Sequence, residues 1–326
     1  MTIEKRGSNY RITQMVNGKR YRITVDHKPT QTEALKLIAK ELERRNPDVE
    51  KITFEKACKR YFEEKCNVLS ETTIRGYMGM LRALGDTFKA TRISEMTTAI
   101  IQAEINKYSS NHSPKSVKNM SGFIMGVLHY FDVEVKSAKI PQTVIVDSYL
   151  PSEDEVIKIF KAFEGTIYEV PVKLYGLGLR RGEICALTLN DLDKDNNLII
   201  NKSKVKGLNG KWIIKTTKTP ESTRSIELPE ELANLIRKQG YVYEGSPHTL
   251  YLNFTRMEKK LGISHFKPHN MRHFSASYLH NLGYTDKQIQ KWHGWKTDYV
   301  MKRVYMEAME MEKAKKAAAK DFGKLM

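Results

Sequence analysis

The side chains best placed to do chemistry in this sequence are cations, an imidazole and an aromatic hydroxyl. Gly178-Leu179-Arg180-Arg181-Gly182-Glu183 puts an arginine at a glycine-rich helix start, where free backbone N–H groups also favour an anion. Thr217-Lys218-Thr219-Pro220-Glu221-Ser222-Thr223-Arg224 reads as a turn between strands, with Lys218 entering it. Pro268-His269-Asn270-Met271-Arg272 reads as a helix start with proline at its first position, which predicts His269 and Arg272 on one face. Gly294-Trp295 closes a helix opened by Thr285 and Gln288, and Tyr305 follows ten residues after Trp295. The sequence has no Gly-x-x-x-x-Gly-Lys loop, no His-Glu-x-x-His pair and no acidic cluster at metal-ligand spacing. With this set, chemistry on DNA would neutralise the scissile phosphate with side-chain cations instead of a divalent ion. Two fixed arginines, a lysine to protonate a leaving oxygen, an imidazole and a nucleophile would suffice.

Charge supports a polyanionic partner. The chain of 326 residues carries 55 Lys and Arg against 38 Asp and Glu, a formal charge of +17. The excess is spread: 11 basic against 7 acidic residues in 1–50, 13 against 9 in 51–137, and 31 against 22 in 138–326. Basic charge on every segment fits contacts with one long polyanion better than a single tethering tail does. With 40% hydrophobic residues the chain can bury real cores, so it is not a disordered tail protein. No apolar run long enough to span a bilayer occurs, the N-terminus does not read as a secretory signal, and no long basic amphipathic helix suggests a membrane surface. Cys58, Cys66 and Cys185 are too few and scattered for a disulfide framework or a zinc cluster, which points to a reducing cytoplasm.

The elements that must carry these groups predict an α+β multidomain chain. Residues 9–26 alternate with period two around Asn17-Gly18, a hairpin with Tyr10, Ile12, Tyr21, Ile23 and Val25 on one face and Arg11, Arg20 and Arg22 on the other. A helix capped by Thr30 and Glu33, with Leu35, Ile38 and Leu42 as its apolar stripe, would back a small three-stranded sheet in residues 1–47. Residues 52–137 read as four short helices, the last opened by Ser113-Pro114. An extended linker over 138–150 contains Val144-Ile145-Val146, and Ser152 with Glu155 then opens a mainly helical domain, 151–308, holding a small antiparallel sheet at about 197–228. The tail, 309–326, has apolar spacing for a short helix through Ala314, Ala317, Ala318, Phe322 and Leu325.

Taken together, the motifs resemble those of the tyrosine recombinases, or phage-type integrases. The resemblance rests on Gly-Leu-Arg-x-x-Glu (Arg180, Glu183), Lys-Thr-x-x-Ser-x-Arg (Lys218, Thr219, Ser222, Arg224), His-x-x-Arg-His (His269, Arg272, His273) and a terminal tyrosine, Tyr305. It covers about 150–308, and more loosely 52–137 as a core-binding domain and 1–47 as an arm-binding domain of lambda-like integrases.

By that resemblance Tyr305 attacks a DNA phosphate to form a 3′-phosphotyrosyl link, His269 assists as general base and Lys218 protonates the departing 5′ oxygen. Arg180 and Arg272 clamp the non-bridging oxygens, Trp295 donates its indole N–H, and Glu183 supports the scaffold. Lys215 competes with Lys218, Tyr299 with Tyr305, and His293 with Trp295, a position where the family usually has histidine and Cre recombinase has tryptophan. Phe274 replaces a commoner hydroxyl residue after His273, while His112, His129, His248 and His265 read as structural or exposed and Cys185 as core. The implied partners are double-stranded DNA at core sites, arm sites contacted by Arg11, Arg20 and Arg22, and three further copies of the chain, with the tail docking on a neighbour. A DNA-bending protein and an excisionase are open as accessories. No metal and no cofactor is called for. The rivals are a type IB topoisomerase-like enzyme and a catalytically decayed DNA-binding regulator.

Overall fold

The computed structural model of the chain describes residues 1–16, 19–44, 51–142, 149–217 and 222–297. Asn17-Gly18, the run Val144-Ile145-Val146, Lys218, Thr219, Tyr299, Tyr305 and the tail lie outside them. The chain divides into two compact units, Met1–Val144 and Ile145–Met326. Among the described residues no helix is long and apolar enough to cross a membrane.

In the first unit, β1 (Thr2–Arg6), β2 (Asn9–Val16) and β3 (Lys19–Val25) form an antiparallel sheet in that order. Ile12 pairs with Ile3 and Ile23, and Tyr10 with Val25. Period-two alternation therefore sends Arg11, opposite Glu4 and Thr24, and Arg22, opposite Thr13, to the other face. Helix α1 (Gln31–Arg44) starts at the expected box, Glu33 N–H to Thr30 Oγ1 and Thr30 N–H to Glu33. Its inward residues are Ala34, Leu37 and Ile38, which meet Ile12 and Tyr21. Leu35, predicted in that stripe, is 52% exposed. The helical repeat places position 34, a small residue that lets the sheet approach, four residues before Ile38.

The rest of this unit is a helical bundle. Helices α2 (Phe54–Lys65), α3 (Glu71–Ala83), α5 (Thr98–Ser109) and α6 (Pro114–Tyr130) start at Thr53, Ser70, Thr97 and Ser113, whose hydroxyls each accept a first-turn backbone N–H. A short α4 (Asp86–Ala90), absent from the sequence reading, sits between α3 and α5. Phe123 stacks on Tyr77, with ring centroids 4.9 Å apart, and meets the edge of Phe54, which in turn meets Phe88 at 5.0 Å. Such aromatic pairs add roughly 0.5–1.5 kcal/mol each beyond the area they bury.

In the second unit, α7 (Glu153–Phe163) begins with the predicted Ser152–Glu155 box and is followed by α8 (Glu169–Gly176) and α9 (Arg181–Ile184). The β region holds β4 (Asn197–Ile200), β5 (Lys202–Lys206), β6 (Trp212–Thr216) and β7 (Arg224–Glu227). They pair as two antiparallel ribbons, β4 with β7 and β5 with β6. The β5–β6 ribbon lies directly on α9, since a Cβ on Gly182 would come within 2.4 Å of Ser203 Oγ. Helices α10 (Glu230–Gln239), α11 (Pro247–Lys260), α12 (Asn270–Asn281) and α13 (Asp286–His293) complete the unit. Its core joins Val156, Ile159, Leu174, Tyr175, Leu198, Ile226, Phe254 and Met271. Cys185 lies within it as expected, and burial pushes its thiol up to about 12.

Truncating Phe123 to Ala should cost about 3–5 kcal/mol, because a fully packed ring leaves a cavity flanked by Phe54, Phe62 and Tyr77. Chemical denaturation reads this directly; a loss under about 1 kcal/mol would contradict the packing.

Candidate active site

Two helix ends create the site. Helix α8 stops at Gly178, whose φ of +87° is open to glycine at little cost. Gly178 N–H bonds Tyr175 O at 2.9 Å and Leu179 N–H bonds Leu174 O at 3.1 Å, the paired closure of a left-handed helix end. Helix α13 stops the same way at Gly294, with φ +61° and Trp295 N–H on Gln290 O. Each end leaves carbonyl oxygens at the negative pole of its helix. Arginines occupy those poles. Arg272 donates through Nη1 to Gly178 O at 2.5 Å and through Nη2 to His293 O, and Arg180 Nη2 reaches Gly294 O at 3.4 Å.

One carboxylate organises two of the arginines. Glu183 is 2% exposed. Its Oε1 accepts from Arg180 Nη1 at 2.6 Å and its Oε2 from the Arg180 backbone N–H at 2.9 Å. Arg224 grips the same carboxylate with both fork nitrogens, at 3.2 and 2.9 Å, while its Nε donates to Trp292 O at 2.8 Å. Burial alone would raise the Glu183 carboxyl, but the hydrogen bonds and charge of Arg224, with Arg180, bring its pKa down to about 2.

Arg272 has no such counter-ion. Its residue is 1% exposed, no carboxylate pairs with it among the described residues, and its Nε is buried without a hydrogen-bond partner. The guanidinium sits 5.0 Å from the centroid of the Trp295 ring, a cation–π contact that stabilises but does not neutralise it. Burial first, then the Arg180 and Arg224 charges, push its pKa down. An anion entering here would relieve that excess of positive charge.

His269 lies beside it. The expected proline-first helix start is corrected: α12 begins at Asn270, and Pro268 precedes the capping residue His269. The chain enters α12 through tight bonds from Met271 N–H to Pro268 O and from Arg272 N–H to His269 O, so His269 and Arg272 still lie on one side. The His269 residue is exposed to solvent. Desolvation by the protein around its ring, then the Arg272 and Arg180 charges, hold its pKa below the usual histidine value. His273 is lowered to about 4 and His293 to about 3, burial being the main cause in each. His293, the rival to Trp295, is wholly buried: its Nδ1 faces Ile289 O at 3.0 Å and its Nε2 packs against Gly178.

Thus Arg180, Glu183, His269, Arg272 and Trp295 converge on one site, while Lys218 and Tyr305 lie outside the described residues. In the sequence Arg224 stands only inside the Lys-Thr-x-x-Ser-x-Arg motif, with no task assigned to it, and its place in that motif was the available signal. Of the other histidines, His265 is exposed and its Nδ1 meets the buried Glu258 at 3.1 Å.

The two strongly depressed histidines, His273 and His293, make stability depend on pH. Each is neutral when folded and protonated below about 6.5 when unfolded, so below that pH the unfolded state binds more protons. Unfolding free energy should therefore fall as pH drops from 6.5 towards about 4, the value for His273, and continue towards about 3 for His293. Calorimetry across this range checks it, and a flat profile would contradict neutral buried imidazoles.

Comparison with known proteins agrees with this geometry. The profile of the phage integrase family matches residues 153–311, and that of the phage integrase N-terminal SAM-like domain matches 53–109. Tyrosine recombinase XerA of Pyrococcus horikoshii is 25% identical over 191 residues, covering 54% of this chain and 65% of that protein, so the chain spans just under two thirds of its length. Tyrosine recombinase XerC of Myxococcus xanthus is 26% identical over 266 residues, 68% of this chain and 82% of that protein. The fold resembles the Tn1549 transposon integrase solved with transposon right-end DNA, at TM-score 0.62 and 18% identity over 82% of this chain and 100% of that one. It also resembles a lambda integrase dimer bound to a COC′ core site, at TM-score 0.60 and 19% identity over 93% and 94% of the two chains. The chain belongs to the phage integrase family of tyrosine recombinases.

Proposed function

We propose that the chain is a site-specific DNA recombinase of a mobile element, cutting and rejoining strands through a 3′-phosphotyrosyl intermediate. The observation that carries this reading is the charge balance at the site. The single carboxylate of Glu183, shared by Arg224 and Arg180, offsets one of the three guanidinium charges of Arg180, Arg224 and Arg272, which leaves an excess of two positive charges at the ends of α8 and α13. Two cations suit a phosphodiester that gains a second negative charge as it becomes five-coordinate.

In this reading the Tyr305 oxygen forms a bond to phosphorus as the bond to the 5′ oxygen breaks. The phenolic proton passes to His269, whose lowered pKa keeps it free to accept, and Lys218 supplies a proton to the departing oxygen. Trp295 contributes its indole N–H to the phosphate without titrating. Because the phosphate ester energy is kept in the enzyme link, the reverse attack by a 5′ hydroxyl rejoins DNA.

The N-terminal sheet supports an integrase over a topoisomerase. Arg11 and Arg22 lie on the face turned away from α1, and Arg20, paired with Met15, shares it. We assign that face to arm-type DNA sites, with Glu4 beside Arg11 limiting its charge. Exchange between two duplexes needs paired cuts, so the proposed working form is a tetramer on DNA; a lambda integrase tetramer has been solved on a Holliday junction.

Incubating the chain with a pool of nicked random-sequence duplexes, isolating covalent adducts and mapping the linked peptide tests the chemistry. Adduct at Tyr305 is expected, and Tyr305→Phe should bind DNA without forming it. Adduct at Tyr299, or none from the parent chain, would contradict the reading. Replacing Arg11, Arg20 and Arg22 together by Ala should reduce the salt dependence of arm-site binding by about 0.9 in log–log slope per lost phosphate contact, with adduct formation at core sites retained. An unchanged slope would remove the arm assignment.

A further inference from the structure

Arg224 stands outside the set of groups that the recombination chemistry needs, yet it is the most connected side chain near it. It is 8% exposed, and all three of its guanidinium nitrogens donate: two to Glu183, with Nη1 also reaching Ser222 O at 3.3 Å, and Nε to Trp292 O. Ser222 lies four residues after Lys218 in sequence, and Trp292 precedes the His293–Trp295 segment whose carbonyls receive Arg272 and Arg180.

The Glu183 carboxylate has two cationic partners, and they are not equivalent. Arg180 is about one-third exposed and can turn towards an incoming anion, whereas Arg224 is enclosed. A buried carboxylate left with one partner takes that partner entirely. Were Arg224 absent, Arg180 would be the remaining counter-ion of Glu183, and its charge would be cancelled before any phosphate arrived.

We infer that Arg224 is a positioning residue that neutralises Glu183 and so frees the Arg180 guanidinium to bind the scissile phosphate. This rests on the recombinase reading and deepens it. Its effect passes through charge, which separates it from a strut that merely holds β7 in place: a strut could not be dispensed with by altering Glu183 or the substrate.

The test uses the full chain and a nicked duplex of the sequence that the parent protein captures covalently. It is made once with a normal scissile phosphodiester and once with a neutral methylphosphonate there, which removes the charge that Arg180 must meet. Arg224→Met should slow adduct formation by about 100-fold on the phosphodiester, in the range seen when one charge-stabilising donor is lost. On the methylphosphonate the same variant should fall within about threefold of the parent. Adding Glu183→Gln to Arg224→Met should recover at least about tenfold on the phosphodiester, since the stranded negative charge is gone. Arg224→Lys, which keeps the charge and loses the fork, should stay within about tenfold of the parent. Equal defects on both substrates, a double variant no faster than the single, or Arg224→Lys as slow as Arg224→Met would overturn the inference. Thermal unfolding of each variant identifies loss of fold, and if Arg224→Met does not fold, the Lys and double variants still decide. Absence of adduct from the parent chain would instead count against the recombinase reading itself.

Discussion

Three guanidinium groups and one carboxylate gathered at one place dominate this molecule, with Glu183, Arg224 and Arg272 out of water and Arg180 partly so. Repulsion among the cations should drive them apart, and each pays for lost hydration. The structure holds them by two means. Glu183 binds Arg224 and Arg180 together, and carbonyl oxygens at the ends of α8 and α13 receive Arg180 and Arg272. Carbonyl dipoles hold a cation without cancelling it, so positive charge survives where a phosphate would bind.

That solution depends on backbone shape. Gly178 and Gly294 adopt left-handed conformations that turn carbonyls inward, and at Gly178 a side chain would also meet His293 at 2.5 Å. Gly182 lets the β5–β6 ribbon lie on α9, so the short helix carrying Glu183 is pinned by a ribbon rich in lysine. The histidines complete the picture. Desolvation and nearby arginines hold the His269, His273 and His293 imidazoles below the usual histidine range, which for His269 is what the proposed role as base requires.

Much of this was legible in sequence because it is local. Caps at Ser113, Ser152 and Thr285 and the period-two alternation of the strands either side of Asn17-Gly18 depend on neighbours a few residues apart, and these appear in the structure. The grouping of Arg180, His269 and Arg272 was legible only as a motif order, since their meeting is made by tertiary contact. What escaped is instructive. Strand β5, Lys-Ser-Lys-Val-Lys, has a poor strand composition and is specified by pairing with β6 and by lying on α9. Leu35 looked like core because apolar periodicity cannot choose between adjacent faces of an exposed helix. Arg224 escaped because its role lies in what it bonds across the fold, which a single sequence does not display.

The most direct measurement is a crystal structure of the chain with half-site DNA and orthovanadate, which mimics five-coordinate phosphorus. The account predicts vanadium bonded at one apex to the Tyr305 oxygen, with Arg180 and Arg272 on its equatorial oxygens and Glu183 still closed on Arg224. Vanadate bound elsewhere, or with either Arg180 or Arg272 turned away from it, would contradict it.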